Sequence, residues 1–330
     1  MKLFGFALVF LASCSAFPQN KTGDTFKLAL PDHNGQLIWN ADGFRITQSS
    51  AKPNGREIGI RGQSNSDRLA FLGFLFLAPG GDALTSTKCR DDALAEEKRS
   101  VPSLSILGTK DLDRGPGLPV SQVTYSSAMR DGSKEYHVRG FVASNGVCGD
   151  LELYSGDQIR ETDADVAKIF STYRFDANYV PEFADLAFYG QILYHANNFS
   201  AAAPAFEKAL TMLTPDGAPF PSAKIARRVL TDQAGMAYGI SGNFAKARSI
   251  FEKGIATDPE YPLYYYNLAC ADAGEGKLAD AQKHLQEAFA RKANLISGET
   301  MPDPTEDDSF LPYKTNHAFW EFIVRLKENK

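Results

Sequence analysis

The chain has 330 residues, room for about two domains, and 43% of them are hydrophobic, which excludes a wholly disordered protein. Its net charge is −5 and acid exceeds base in both halves, so the basic stripe that nucleic-acid binding requires is missing.

The first residues read MKLFGFALVFLASCSAF. Lys2 supplies a positive start, and the apolar run from Leu3 to Leu11 is too short to cross a bilayer. This is the outline of an export signal over residues 1–16, with cleavage after Ala16 as one way to process it. The stretch Leu11-Ala12-Ser13-Cys14 resembles a bacterial lipobox, which implies lipidation of Cys14 and a membrane tether. The bland alternative is a buried N-terminal strand or helix. The expected location is periplasmic or outer-membrane-anchored in a bacterium, and secreted otherwise.

Residues 24–178 carry period-2 segments separated by turn residues. Strands are predicted at TFKLALP 25–31, FRITQSS 44–50, REIGIRGQ 56–63, LAFLGFLFLAP 69–79 and VSQVTYSSAM 120–129. The run EYHVRGFVASNGVCGDLELYS 135–155 is long enough for two strands or one bulged strand. Helices are predicted at 82–99, with acidic residues near its start, and at TDADVAKIFSTY 162–173. In the latter Thr162 is the expected N-cap, Asp163 and Asp165 fall in the first turn, and Val166, Ile169 and Phe170 form one apolar face. Helices set among antiparallel strands make an α+β domain. The strand run closing on DVAKIFSTYRF, a helix leading into a short strand, is similar to the end of PsbP/Mog1-like α/β sandwich domains. That resemblance implies an antiparallel-sheet sandwich that binds or helps assemble other proteins. It supplies no catalytic residues.

Of the four cysteines, Cys89 and Cys148 lie in this half, and export to an oxidising compartment makes them the expected disulfide. The alternative is two separate buried thiols.

From Glu182 to residue 296 the pattern turns helical and repeats itself. Phe244 to Leu278 and Ala247 to Ala281 are both 34 residues apart. Small residues at Ala202, Ala247 and Ala281 are followed four positions later by Phe206, Phe251 and Leu285, one helical turn down the same face. The turns ANN 196–198, SGN 241–243 and EGK 275–277 recur between the helices, and Pro259 ends one of them. This spacing resembles the tetratricopeptide repeat (TPR), which implies an all-α superhelix of about three repeats. The stretch TPDGAPFPSAK 214–224 reads as an extended inter-repeat loop, ISGETMPDPTEDDSFLP as an acidic irregular connection, and HAFWEFIVRLKEN 317–329 as a capping helix. In that helix Phe319, Phe322, Ile323 and Leu326 share one side; residues 297–330 thus make an acidic linker and a cap. Cys270 sits at a small-residue position and is expected to be buried.

No P-loop, GxGxxG, HExxH or GxSxG motif is present, and no Cys/His cluster has zinc spacing. The acidic pairs Asp91-Asp92 and Asp307-Asp308 read as solvated faces. The TPR resemblance implies a groove presenting Phe188, Gln191, Tyr194, His195, Asp232, Gln233, Met236, Tyr266 and Asn267 to a peptide or protein partner. Asn267 fits a carboxylate clamp, but the lysines of such clamps are absent there. The sequence thus points to an exported, non-catalytic interaction scaffold with no cofactor, no metal and no nucleic-acid partner, touching a membrane only through an anchor at Cys14. Two other classes stay open: a hydrolase-like enzyme using Cys89 or Cys148 with His137, and a small-ligand or lipid-binding protein, each with its site in the first domain.

Overall fold

The computed structural model describes residues 21–22, 24–112, 119–213 and 223–328. Residues 1–20, which include the export segment and Cys14, and most of the loop expected at 214–224 lie outside the described residues. The chain divides into two compact units, Gln19–Ile192 and a second beginning at Leu193.

The first unit is built in the order β1 (Lys21–Thr22), β2 (Thr25–Ala29), β3 (Gln36–Asn40), β4 (Phe44–Lys52), β5 (Glu57–Ser64), β6 (Ala70–Leu77), α1 (Ser86–Ser100), β7 (Ser105–Leu112), β8 (Val120–Ala128), β9 (Lys134–Ser144), β10 (Val147–Ser155), α2 (Ala164–Thr172) and β11 (Arg174–Asp176). Seven strands pair antiparallel in the order β4-β5-β6-β10-β9-β8-β7, and four more in the order β1-β2-β3-β11. The long run 135–155 resolves into two strands because Asn145 and Gly146 both adopt positive φ, 53° and 75°. Two such residues form the hairpin turn whose twist matches its strands.

Adjacent residues of β10 show the layering. Cys148 faces α1, where Cys89 and Leu94 pack with Val123, Tyr125 and Phe141. Gly149 faces the small sheet so closely that a Cβ there would come within 2.6 Å of Leu37. The large sheet therefore has a helix on one face and the second sheet on the other. The disulfide expected from the sequence is present, with Cys89 and Cys148 joined at a Cα separation of 6.1 Å.

Two helix ends differ from expectation. Asp163, not Thr162, occupies the N-cap of α2, leaving Asp165 alone as the first-turn acid. Helix α1 starts at Ser86 with Thr85 capping it through Lys88 N, so the first turn has no acidic residue.

The division between the units falls inside α3 (Phe183–His195). The helical unit continues with α4 (Phe199–Met212), α5 (Ala223–Ile240), α6 (Phe244–Thr257), α7 (Pro262–Gly274), α8 (Leu278–Ala290) and α9 (His317–Glu328). The breaks before α4, α6 and α8 are the three turns read in the sequence. Their central residues, Asn197, Gly242 and Gly276, take φ of 58°, 87° and 75°, a conformation open chiefly to Gly and Asn. Each helix from α4 to α8 packs on the next, and α5 also reaches α7. Ala202, Ala247 and Ala281 are fully buried, as are Phe206, Phe251 and Leu285. Helix α9 closes the stack with Phe319 and Ile323 in the core and Phe322 and Leu326 packed against it.

Candidate functional site

The residues expected to line a groove fall in both units. Phe188 and Gln191 belong to the first, the former buried and the latter half-buried. The other seven belong to the helical unit. There Tyr194 packs edge-on against Phe199 at 4.9 Å between centroids, and His195 is exposed. Asp232 and Asn267 meet across α5 and α7, where Asn267 Nδ2 donates to Asp232 Oδ1 at 2.5 Å. Burial, and then the nearby Glu299 carboxylate, push the Asp232 carboxyl up to about 8, so it is mostly protonated at neutral pH. Gln233 is half-buried, and its Oε1 has no hydrogen-bond partner.

An open groove is not what this face presents. Asp232, Met236, Tyr266 and Asn267 are each less than a tenth exposed. For Tyr266 the cover is the chain's own segment after α8. The Tyr266 hydroxyl donates to Asp307 Oδ2 at 2.9 Å, and Cys270 Sγ lies 3.7 Å from the same oxygen. Three residues on, the fully buried Phe310 ring stands edge-on to Tyr266 at 6.0 Å. The Tyr313 hydroxyl donates to the carbonyl of Ala273 near the end of α7. Nearer α8, Tyr261 donates to Glu299 Oε1 at 2.8 Å, and Arg228 Nη1 donates to the carbonyl of Asn294 at 3.0 Å. The linker read as an acidic irregular connection is thus partly core. Asp308 is exposed as expected, whereas Asp307 is only 1% exposed because Tyr266 and Cys270 receive it. The signal available for this was the cluster Phe310, Leu311 and Tyr313 within an otherwise acidic stretch.

The first unit holds a second polar cluster, on the face of the large sheet that carries α1. Glu152 Oε1 accepts from Tyr125 Oη at 2.6 Å and lies 2.8 Å from His137 Nδ1. The imidazole stacks on the Tyr125 ring at 4.4 Å. Burial works to raise Glu152, but the His137 hydrogen bond and the Arg139 charge overcome it and hold the carboxyl down at about 2. Arg139 grips Asp150 with bonds of 2.9 Å from Nε and 2.6 Å from Nη2. Burial opposes the Arg139 charge, and Asp150 outweighs it, keeping the guanidinium well above its ordinary value. Because Cys89 and Cys148 are bonded to each other, neither supplies a thiolate to His137. This corrects the Cys/His pairing considered from the sequence.

A cleft of about 770 Å³ opens beside α2, lined among others by Asp42, Arg68, Asp157 and Lys168. Its lining also includes Phe44, Leu69, Ile159 and Ile169, so it mixes charged and apolar side chains, and it lies at the end of the sheet rather than passing through it. Among the described residues no group of three or more His, Cys, Asp or Glu side chains is arranged to hold a metal ion. Within 303–308, Asp303 is paired with Lys327 at 2.7 Å, and Asp307 is taken by Tyr266.

No protein-family model matches the chain, and no curated protein matches it. Among solved structures it is similar to the TPR domain of Sgt2 from Aspergillus fumigatus, at 19% identity over 44% of this chain and 83% of that one, with a TM-score of 0.31. It is also similar to PcrH from Pseudomonas aeruginosa, at 15% identity over 44% and 91%, TM-score 0.31. A third is the first TPR of Spaghetti (RPAP3) bound to the HSP90 peptide SRMEEVD, at 16% identity over 44% and 94%, TM-score 0.30.

Proposed function

We propose that the chain is an exported, non-catalytic scaffold that holds a peptide or protein partner along the face formed by α5 and α7. One observation carries the reading: this face already seats a non-helical stretch of polypeptide through side-chain donors, with Tyr266 bonded to Asp307. Recognition of backbone-irregular peptide by a helical face of aromatic and polar side chains needs this kind of chemistry. Tyr194, Asp232, Gln233 and Met236 extend the same surface toward the start of the stack, which we read as about three TPR-type repeats.

The experiment is a photo-crosslinking amino acid at position 233, with a control on the exposed Lys283 of α8. Partner captured through position 233 and not through 283 is the expected result. Equal capture at both positions, or none at 233, would count against the face.

We read the first unit as PsbP/Mog1-like, supported by the closing helix α2 running straight into β11. Export is supported by the N-terminal MKLFGFALVFLASC and by the Cys89–Cys148 bond, which suits an oxidising compartment. Cys14 is the proposed lipid anchor. Cys14→Ser should move the protein from the detergent phase to the soluble fraction, and an unchanged distribution would end the anchor reading.

A further inference from the structure

We propose that the α7 face is a receptor for acidic–aromatic peptides with Asp-x-x-Phe spacing, and that residues 303–313 are its built-in occupant, displaced when such a partner binds. The proposal rests on the scaffold reading above and gives that partner a chemistry.

The recognition is laid out in three contacts. Asp307 puts one carboxylate oxygen on Tyr266 Oη at 2.9 Å and within 3.7 Å of Cys270 Sγ, and the other on its own strand of chain at Ser309 N, 2.8 Å. Phe310 fills the apolar slot between Tyr266 and Phe319, with ring centroids 6.0 Å from each. Tyr313 reaches the Ala273 carbonyl. The spacing of an acid and an aromatic three residues later is therefore read by side chains that belong to α7 and α9.

A permanent plug would be better made of apolar groups. Burying a carboxylate costs desolvation that hydrogen bonds only offset, whereas a hydrophobic side chain of similar size would not incur it. The price is sensible where the carboxylate marks identity, since a competing segment lacking it leaves Tyr266 unpaired. The occupant is anchored at Asp307 and Phe310 but has little regular structure of its own. Residues 303–316 contain turns and one short 3-10 segment, Leu311–Tyr313, and Glu306 and Asp308 face solvent. Segments of this kind open locally without unfolding the helices beneath them.

Cys270 reports the state of the face. It is 1% exposed, and burial, followed by the Asp307 carboxylate, pushes its thiol well above its ordinary value, so the covered thiol is unreactive. Opening uncovers it.

The test uses the full chain, a fluorescent peptide of residues 301–316, and the alkylation rate of Cys270 followed by peptide mapping. In the wild-type chain the tethered segment competes at a high effective concentration, so peptide binding is weak and alkylation slow. In Phe310→Ala, alkylation should quicken and the peptide should bind at least about tenfold more tightly than to wild type. Bound peptide should slow alkylation again, and a peptide with Asp307 replaced by Asn should lose at least about fivefold in affinity. Should Phe310→Ala fail to fold, Tyr313→Phe removes one hydrogen bond only and carries the same comparison. A folded variant with fast alkylation that about 1 mM peptide does not slow overturns the inference. So does an unchanged alkylation rate in both variants. Capture through position 233 of a partner without Asp-x-x-Phe would overturn the peptide class alone and leave the scaffold reading standing.

Discussion

The Phe251 ring of α6 lies where a side chain on Gly235 of α5 would have to stand. A Cβ built on Gly235 would be 2.3 Å from the Phe251 Cζ, a separation that no real carbon pair tolerates. Phe251 is fully buried, as is Ala247 one turn before it. Gly235→Ala should therefore destabilise by about 1–3 kcal/mol through overpacking, although alanine is the better helix former by roughly 1 kcal/mol. Ala247→Leu should cost a similar amount. Phe251→Ala should cost about 3–5 kcal/mol through its cavity. Gln233→Ala, which removes a buried oxygen with no partner, should cost little. Thermal unfolding of the full chain decides it. A raised melting temperature for Gly235→Ala would show that the α5–α6 contact is assigned to the wrong faces.

Asp232 predicts a pH dependence. Its folded value of about 8 lies above the ordinary carboxylate value of 3.8, so the folded state keeps a proton that the unfolded chain has lost. That stability is fully present below about pH 4 and drains away as pH rises toward 8, by about 1.4 kcal/mol per pH unit at most. Glu299, raised first by burial, acts in the same sense. Asp232→Asn keeps the shape and cannot ionise. It should flatten the melting temperature between pH 5 and 8, with the largest gain over wild type at the alkaline end. Parallel pH curves for the two proteins would refute a protonated Asp232.

Much of the helical unit was legible because its signals are local. Asn197, Gly242 and Gly276 announce left-handed turns, and the Ala–Phe pairs lie within one helical turn of each other. Besides the two-residue β1, two strands escaped notice for opposite reasons. In β3 four consecutive residues are buried, and in β7 seven of eight are exposed, so neither alternates. The covered face was illegible for a third reason. Asp307 reads as a solvated acid until Tyr266, 41 positions away in sequence, is brought against it.

The Arg139–Asp150 pair should respond asymmetrically to substitution. Asp150 is 2% exposed, and its loss removes the carboxylate that Arg139 hydrogen-bonds, leaving Glu97, 3.6 Å from its Nη1, and the charge of Glu152 to offset the buried guanidinium. Asp150→Ala should cost about 3–5 kcal/mol, the usual effect of orphaning a buried ion. Replacing both residues together with apolar ones should cost much less. Denaturant unfolding of the two variants makes the comparison, and an equal loss in both would mean that the attraction itself, rather than the orphaned charge, dominates.

The disulfide gives the last prediction. Cys89 of α1 and Cys148 of β10 are 59 positions apart, and both sit in one apolar cluster with Leu94, Val123 and Phe141. Closing a loop of that length removes unfolded-chain entropy worth roughly 4 kcal/mol. Non-reducing peptide mapping should recover Cys89 linked to Cys148, while Cys270, buried beneath Asp307, remains a thiol. Reduction should lower the unfolding midpoint of the first unit and leave that of the helical unit in place, because the bond constrains only the former. Cys89→Ala with Cys148→Ala removes the bond and trims the packing at once, so it should fall further than reduction alone. If reduction lowered both transitions together, the two units would unfold as one cooperative body.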